Sequence, residues 1–212
     1  MSGADEPLPP EDFRALLGAA LPRFGLRDPS LRIEPLARFL SELDRARHAT
    51  NLTGRLAAPE LVEHALESVL GERLLPPSAA VVDIGTGGGF PGVPLAIWRP
   101  DFSVTWVEPR RKRAEFLTHV RDAVPVENAR VLTGRAARLP AASFDFATAR
   151  AVPVSDGVFG EALFLRSGGG ILLWTTEPTQ TPAELARAGF RLAEVLPIPE
   201  SRRRVIALLR RP

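Results

Sequence analysis

The chemically richest stretch of this chain is Val82-Asp83-Ile84-Gly85-Thr86-Gly87-Gly88-Gly89-Phe90-Pro91-Gly92. An apolar run stops at glycines, and Pro91 then permits a helix. Gly85 and Gly87 let the backbone turn sharply and let a ligand lie directly on the main chain. A G-x-G-x-x-G can be laid on Gly87, Gly89 and Gly92, but the dinucleotide fingerprint begins where the strand ends. From Gly85, that register puts Phe90 at the third glycine position. Asp83 is expected at the mouth of the loop, where its carboxylate repels a pyrophosphate and welcomes a cationic aminoacyl group. A sulfonium donor bearing an ammonium group therefore fits better than NAD. The next strand ends in Glu108, 23 residues after Gly85, placed to accept hydrogen bonds from ribose hydroxyls.

Other residues carry weaker chemistry. Arg150 falls at the C-terminal end of a strand, the edge where ligands bind in parallel sheets. It could contact donor, RNA phosphate or a base oxygen, or pair with a carboxylate such as Asp145 or Asp156. Arg110-Arg111-Lys112-Arg113 is the densest charge run. It reads as a phosphate contact or as a solvated helix start, and cations there oppose the helix dipole. Arg202-Arg203-Arg204 and Arg210-Arg211 stand behind it. Asn51 and Thr53 cap a helix or line an active-site wall. His64 reads as a packed or hydrogen-bonded residue rather than a catalyst.

Apolar positions at helical spacing define the elements that must hold these groups. Phe13, Leu16, Leu17, Ala20 and Leu21 form one face, and Leu36, Phe39, Leu40 and Leu43 a second. A third helix over Ala58 to Leu70 gathers Leu61, Val62, Ala65, Leu66 and Val69. From Ala79 the pattern changes to strands at 80–84, 103–107, 129–132, 144–148 and 170–175, with helices over 91–98 and 110–123. Two further strands, 191–196 and 204–209, are joined by a tight connection. Alternating strands and helices imply a parallel sheet, and the final close pair implies an antiparallel edge. We divide the chain into a helical cap over 1–78 and an α/β core over 79–212.

The 212 residues suit one domain with a small extension. No apolar run reaches the ~20 residues of a membrane helix, and no signal-peptide pattern opens the chain. With no cysteine there is no disulfide, thiolate zinc site or cysteine nucleophile. His48, His64 and His119 are too widely spaced for a metal set, so no metal is expected. A cytoplasmic monomer is the expectation. The 27 basic and 25 acidic residues nearly cancel, and Lys112 is the one lysine among the basic residues. The arginine skew points to a GC-rich genome rather than a function.

Asp83 to Ala96 resembles the donor-binding loop of the ribosomal RNA small-subunit methyltransferase G family, also called glucose-inhibited division protein B. Further matches follow in order: Asn51-Leu52-Thr53, His64 to Ser68, Lys112-Arg113 with Phe116-Leu117, Gly134-Arg135-Ala136, and Thr148-Ala149-Arg150-Ala151. They run from about residue 40 to the C-terminus. The resemblance implies a class I S-adenosylmethionine-dependent (Rossmann-like) α/β fold, mostly parallel with an antiparallel C-terminal edge. It implies methyl transfer from S-adenosylmethionine to N7 of a guanine in 16S rRNA, with S-adenosylhomocysteine as product and the small ribosomal subunit or its precursor as partner. Donor contacts carry over to Gly85, Phe90, Glu108, Ala136, Ala137 and Arg150, to which the turn adds Gly87 and Asp83. RNA-binding candidates are Arg110, Arg111, Lys112, Arg113 and Asn51. The chain departs from the family's usual residues at Ala46-Arg47, Glu67, Ala137 and Thr175.

Guanine N7 carries a free lone pair on the major-groove edge. It needs no deprotonation, so the task is to hold it in line with the methyl, and Arg150 is the positioning candidate. Cytosine C5 methylation needs a cysteine, and adenine amino methylation uses an Asn/Asp-Pro-Pro-aromatic loop that Thr148 to Pro153 does not supply. Two alternatives stay open: a small-molecule methyltransferase with the helical cap as lid, and a donor-binding module without catalysis.

Overall fold

The structure is a computed structural model that describes residues 6–26, 30–49, 56–150, 162–176 and 182–211. Asn51, Thr53 and Asp156 lie outside the described residues. Three helices come first: α1 (Pro10–Phe24), α2 (Ile33–Ala49) and α3 (Ala58–Leu70). Pro10 opens α1 with Glu11 and Asp12 in the first turn, where carboxylates suit the dipole. Gly25 closes it at φ 57°, the left-handed conformation that glycine adopts without cost. In α3 the five apolar positions expected on one face are all buried.

The sheet follows. Its strands are β1 (Ala80–Ile84), β2 (Ser103–Glu108), β3 (Ala129–Thr133), β4 (Phe144–Arg150), β5 (Leu165–Thr176), β6 (Arg191–Pro197) and β7 (Arg204–Arg210). Between them run α4 (Gly92–Trp98), α5 (Arg111–Ala123) and α6 (Pro182–Arg187). The order is β3-β2-β1-β4-β5-β7-β6, with the first five strands parallel. β7 inserts antiparallel between β5 and β6, so the antiparallel edge is two strands wide.

The sequence reading missed α6 and began β5 five residues late. Gly168, at φ +74°, and the register shift between Phe144 and Phe146 carry β5 through a glycine run that reads as a break. β4 also extends two residues further, to Arg150.

Alternation along the strands sorts the core into two faces. Val81, Val104, Trp106, Phe146, Leu172 and Trp174 share one apolar cluster with α1 to α5. Val82, Ile84, Val107, Ala147 and Ile171 form the other, with Leu185 of α6. The N-terminal helices thus have no separate core: α2 and α3 pack on α4, and the Trp174 indole of β5 reaches the Glu67 carbonyl of α3.

Candidate active site

The turn after β1 is built by backbone geometry. Gly85, Gly87 and Gly89 have φ of 72°, 58° and 106°, values that side chains resist. Gly85 N–H and Thr86 N–H both donate to the Val107 carbonyl, at 2.8 and 3.2 Å. A Cβ at Gly85 would meet nothing within 4 Å, so this backbone faces open space. Gly89 and Gly92 serve packing instead. A Cβ on Gly89 would lie 2.7 Å from Phe39, and one on Gly92 would lie 2.6 Å from the Asp83 carboxylate.

Glu108 ends β2 and is 2% exposed. Its Oε2 accepts from Gly87 N–H and its Oε1 from Arg110 N–H, both at 2.9 Å. This carboxylate fastens the turn to the start of α5, and lone pairs remain for further donors. Gly134 N–H donates to the Glu108 carbonyl at 3.0 Å, bringing the short 3-10 turn Ala136–Arg138 to the same edge. Ala136 is buried there and Ala137 is exposed.

Asp83 departs from expectation. Its carboxylate does not stand at the mouth of the loop but is fully buried, with Oδ1 accepting from the Thr148 hydroxyl (2.7 Å) and Oδ2 from Gly92 N–H (3.1 Å). Alternation decides this: Asp83 shares its face with Val81, toward α4. Burial pushes its pKa up to about 7, against the hydrogen bonds from Thr148, Thr86 and Gly92. It braces the loop from beneath.

Phe90 stands edge-on to both Phe39 (5.5 Å) and His64 (5.9 Å). The His64 carbonyl lies 3.4 Å from an Arg150 guanidinium nitrogen, and the other terminal nitrogen donates to Glu67 at 2.8 Å. Arg150 therefore has a carboxylate partner, from α3. Asp145 instead takes Arg166 and the Ala80 N–H. Glu67, 1% exposed, also pairs with Arg204, and its carbonyl accepts from the Trp174 indole at 2.8 Å. The glycine turn, Phe90, His64, Arg150, Glu67 and Arg204 form one connected line of contacts. Burial, with Arg150 and Arg204 nearby, lowers the His64 pKa to about 4, so the ring is neutral near pH 7. His119 sits apart, against Glu42 of α2.

Beside this line is a cavity of about 280 Å³, lined among others by Glu67, Arg150, Trp174, Thr175, Ile198 and Arg204. The sequence reading held Arg150 as a candidate and Arg204 only within a charge run. It missed their meeting on Glu67, since no spacing links residues 67, 150 and 204.

The Arg110–Arg113 run divides. Arg111 pairs with Glu115 at 2.8 Å. Arg113 leans back, its guanidinium 3.4 Å from where a Cβ on Gly87 would stand. Arg110 and Lys112 are exposed. Among the described residues no group of three or more potential ligands could hold a metal.

The sequence profile of rRNA small subunit methyltransferase G matches residues 32–196. The chain belongs to the rRNA small subunit methyltransferase G family. The family member of Thermobifida fusca (strain YX), named ribosomal RNA small subunit methyltransferase G, is 37% identical over 193 residues, covering 90% of this chain and 76% of that one. The protein of that name from Xanthomonas campestris pv. campestris (strain 8004) is 35% identical over 200 residues, covering 92% and 91%. Among solved structures, a SAM dependent methyltransferase from Aquifex aeolicus aligns with a TM-score of 0.58 at 17% identity, over 73% of this chain and 94% of that one. Pyrococcus horikoshii TYW2, in complex with MeSAdo, aligns at 0.54 and 20% identity, over 70% and 62%. These two establish the fold. Within this member of the family, α1 and β7 lie outside the matched span, Arg204 with them.

Proposed function

We propose that the chain transfers a methyl group from S-adenosylmethionine to N7 of a guanine in 16S rRNA, by positioning and without a general base. The observation that carries this is the contact line from the open glycine turn through Phe90 and His64 to the arginine-lined cavity. It supports reading the turn as a donor cradle and the neighbouring cavity as an acceptor pocket. The donor fits the residues present: Gly85 faces open space, and Glu108 keeps lone pairs for the ribose hydroxyls. The backbone of Gly85 and Gly87 would carry the aminoacyl part, Phe90 would flank it, and Ala136 and Ala137 would border the adenine.

S-adenosylmethionine supplies an electrophilic methyl on a sulfonium. Transfer to N7 would form the C–N7 bond as the C–S bond breaks, moving positive charge from sulfur to the base, so these residues would have no proton to take. His64, neutral near pH 7, is not required as a base. Arg150, held by Glu67 and the His64 carbonyl, would keep the acceptor in line. Arg110 and Lys112 are phosphate-contact candidates, with Asn51 in the segment before α3. We read the chain as a monomer acting in the cytoplasm on the small-subunit rRNA, with residues 1–78 as a cap on the core at 79–212. No helix among the described residues is long and apolar enough to cross a membrane.

The test is transfer of labelled methyl to 16S rRNA and to 30S subunits, followed by nuclease mapping. Label at N7 of a single guanine is expected. Donor binding with no label in RNA would sink this reading in favour of a small acceptor or a binding module.

A further inference from the structure

The cluster around Glu67 contains more than donor binding or fold stability asks for. Two arginines from different strands meet on one carboxylate that is 1% exposed. Arg150 is committed on both terminal nitrogens, to Glu67 and toward the His64 carbonyl. Arg204 enters from the start of β7, its Nε 3.4 Å from the Ser201 hydroxyl and Nη1 on Glu67. Both arginines line the cavity, but where each Arg150 terminal nitrogen has a partner, the Arg204 contacts among the described residues fall on Nε and Nη1 and leave Nη2 for the cavity. With two cations against one carboxyl, the cluster is net positive whether or not Glu67 is protonated.

We propose that this cavity seats the acceptor base and that Arg204 is a specificity-determining residue that reads guanine O6. The inference rests on the N7 methyl transfer proposed above. Three observations carry it. The cavity, about 280 Å³, lies at the small end of ligand sites, the scale of a single flat base. It adjoins the donor turn, since His64 touches Phe90 with its ring and Arg150 with its carbonyl. Its walls offer N–H donors, and on the major-groove edge guanine presents the O6 acceptor where adenine presents an amino donor. A cationic donor there accepts guanine and opposes adenine.

The geometry also protects the nucleophile. A guanidinium free to grip guanine with two arms takes O6 and N7 together, which would occupy the lone pair that must attack. Glu67 engages one arm of Arg204, leaving a one-armed contact to O6 with N7 uncovered. Glu67 thus acts as a positioning residue through Arg204.

The experiment compares two ligated 16S rRNAs that differ only at the target base, guanine or 2,6-diaminopurine, which keeps N7 but replaces O6 with an amino group. Wild type is expected to prefer guanine by up to ~10²-fold in kcat/KM, the upper end of what one side-chain contact to a base edge discriminates. Arg204→Met should lose at least tenfold on the guanine RNA, stay within about threefold on the diaminopurine RNA, and bind S-adenosylhomocysteine as wild type does. Arg204→Lys, which keeps the charge but not the fork, should fall between and decides the matter if Arg204→Met does not fold. A wild type indifferent to the two bases, or a variant slowed equally on both, overturns the inference. Absence of any label from wild type on native 16S rRNA instead overturns the methyl-transfer reading itself.

Discussion

The two halves of the site are built on opposite principles. The proposed donor side is nearly contiguous: residues 83–92 supply the turn and Glu108 fastens it through the backbone N–H groups of Gly87 and Arg110. Its shape comes from positive-φ glycines and main-chain hydrogen bonds. The proposed acceptor side is a side-chain assembly in which α3, β4 and β7 each contribute one charged residue, 67, 150 and 204. A main-chain site needs only a local pattern, while a side-chain site needs the sheet order that sets β7 beside β5.

That contrast can be broken from either side. The largest effect is expected from Gly87→Val. At φ 58° a β-branched residue is strained, and its side chain would press on the Arg113 guanidinium. Calorimetry should find S-adenosylmethionine binding abolished in a protein that still unfolds cooperatively, and a folded variant with normal affinity would remove the turn from the site.

Asp83→Asn probes the brace beneath the turn. A folded pKa of about 7 lies above the unfolded value near 4. Native protein therefore holds more protons between those limits, so this group's stabilising contribution is fully present below pH ~4 and is lost as pH rises through 7. Relative to the Asn variant, wild type should lose stability on the order of 3 kcal/mol from pH 4 to 7. Denaturant melts of the two proteins with parallel pH dependence would refute the buried-acid assignment.

On the acceptor side, Arg150→Ala should slow single-turnover transfer by ~10²-fold, the cost of misplacing reactants by about an ångström. His64→Ala should stay within roughly tenfold, short of the ~10²–10⁴ that losing a general base costs. If the histidine change is the more damaging and removes a pH-dependent limb, transfer involves a proton and the positioning mechanism falls. On the donor side, Glu108→Ala should weaken donor affinity by about 1–3 kcal/mol. Because Glu108 also holds Gly87 and Arg110 N–H groups, some of that loss should appear as a lower melting temperature without ligand. Unchanged affinity would leave Glu108 as a strut alone.

Much of this molecule was legible beforehand because local patterns wrote it. The three N-terminal helices follow from apolar spacing, and α3 spans the residues its pattern predicts. The strand–glycine–helix turn follows from Val82 to Gly92, and Glu108 from the end of the next strand. What sequence reading got wrong were directions and partners. Asp83 was expected to face a ligand and instead faces Thr148 and Gly92, because side-chain alternation points it beneath the loop. Arg150 was offered Asp145 or Asp156 as a carboxylate partner and found Glu67, 83 residues away.

By itself, then, the sequence determined the order of the elements, the glycine turn after β1 and the acid that fastens it. Hydrophobic periodicity and glycine conformations act over a few residues, and they can be read without knowing the fold. Only the tertiary structure decided that Glu67, Arg150 and Arg204 meet beside Trp174. That meeting requires α3 packed against Trp174 of β5 and β7 threaded antiparallel beside β5. A buried carboxylate is costly to leave unpaired, so once the sheet brings two guanidiniums to Glu67 their positions beside the cavity are set by it.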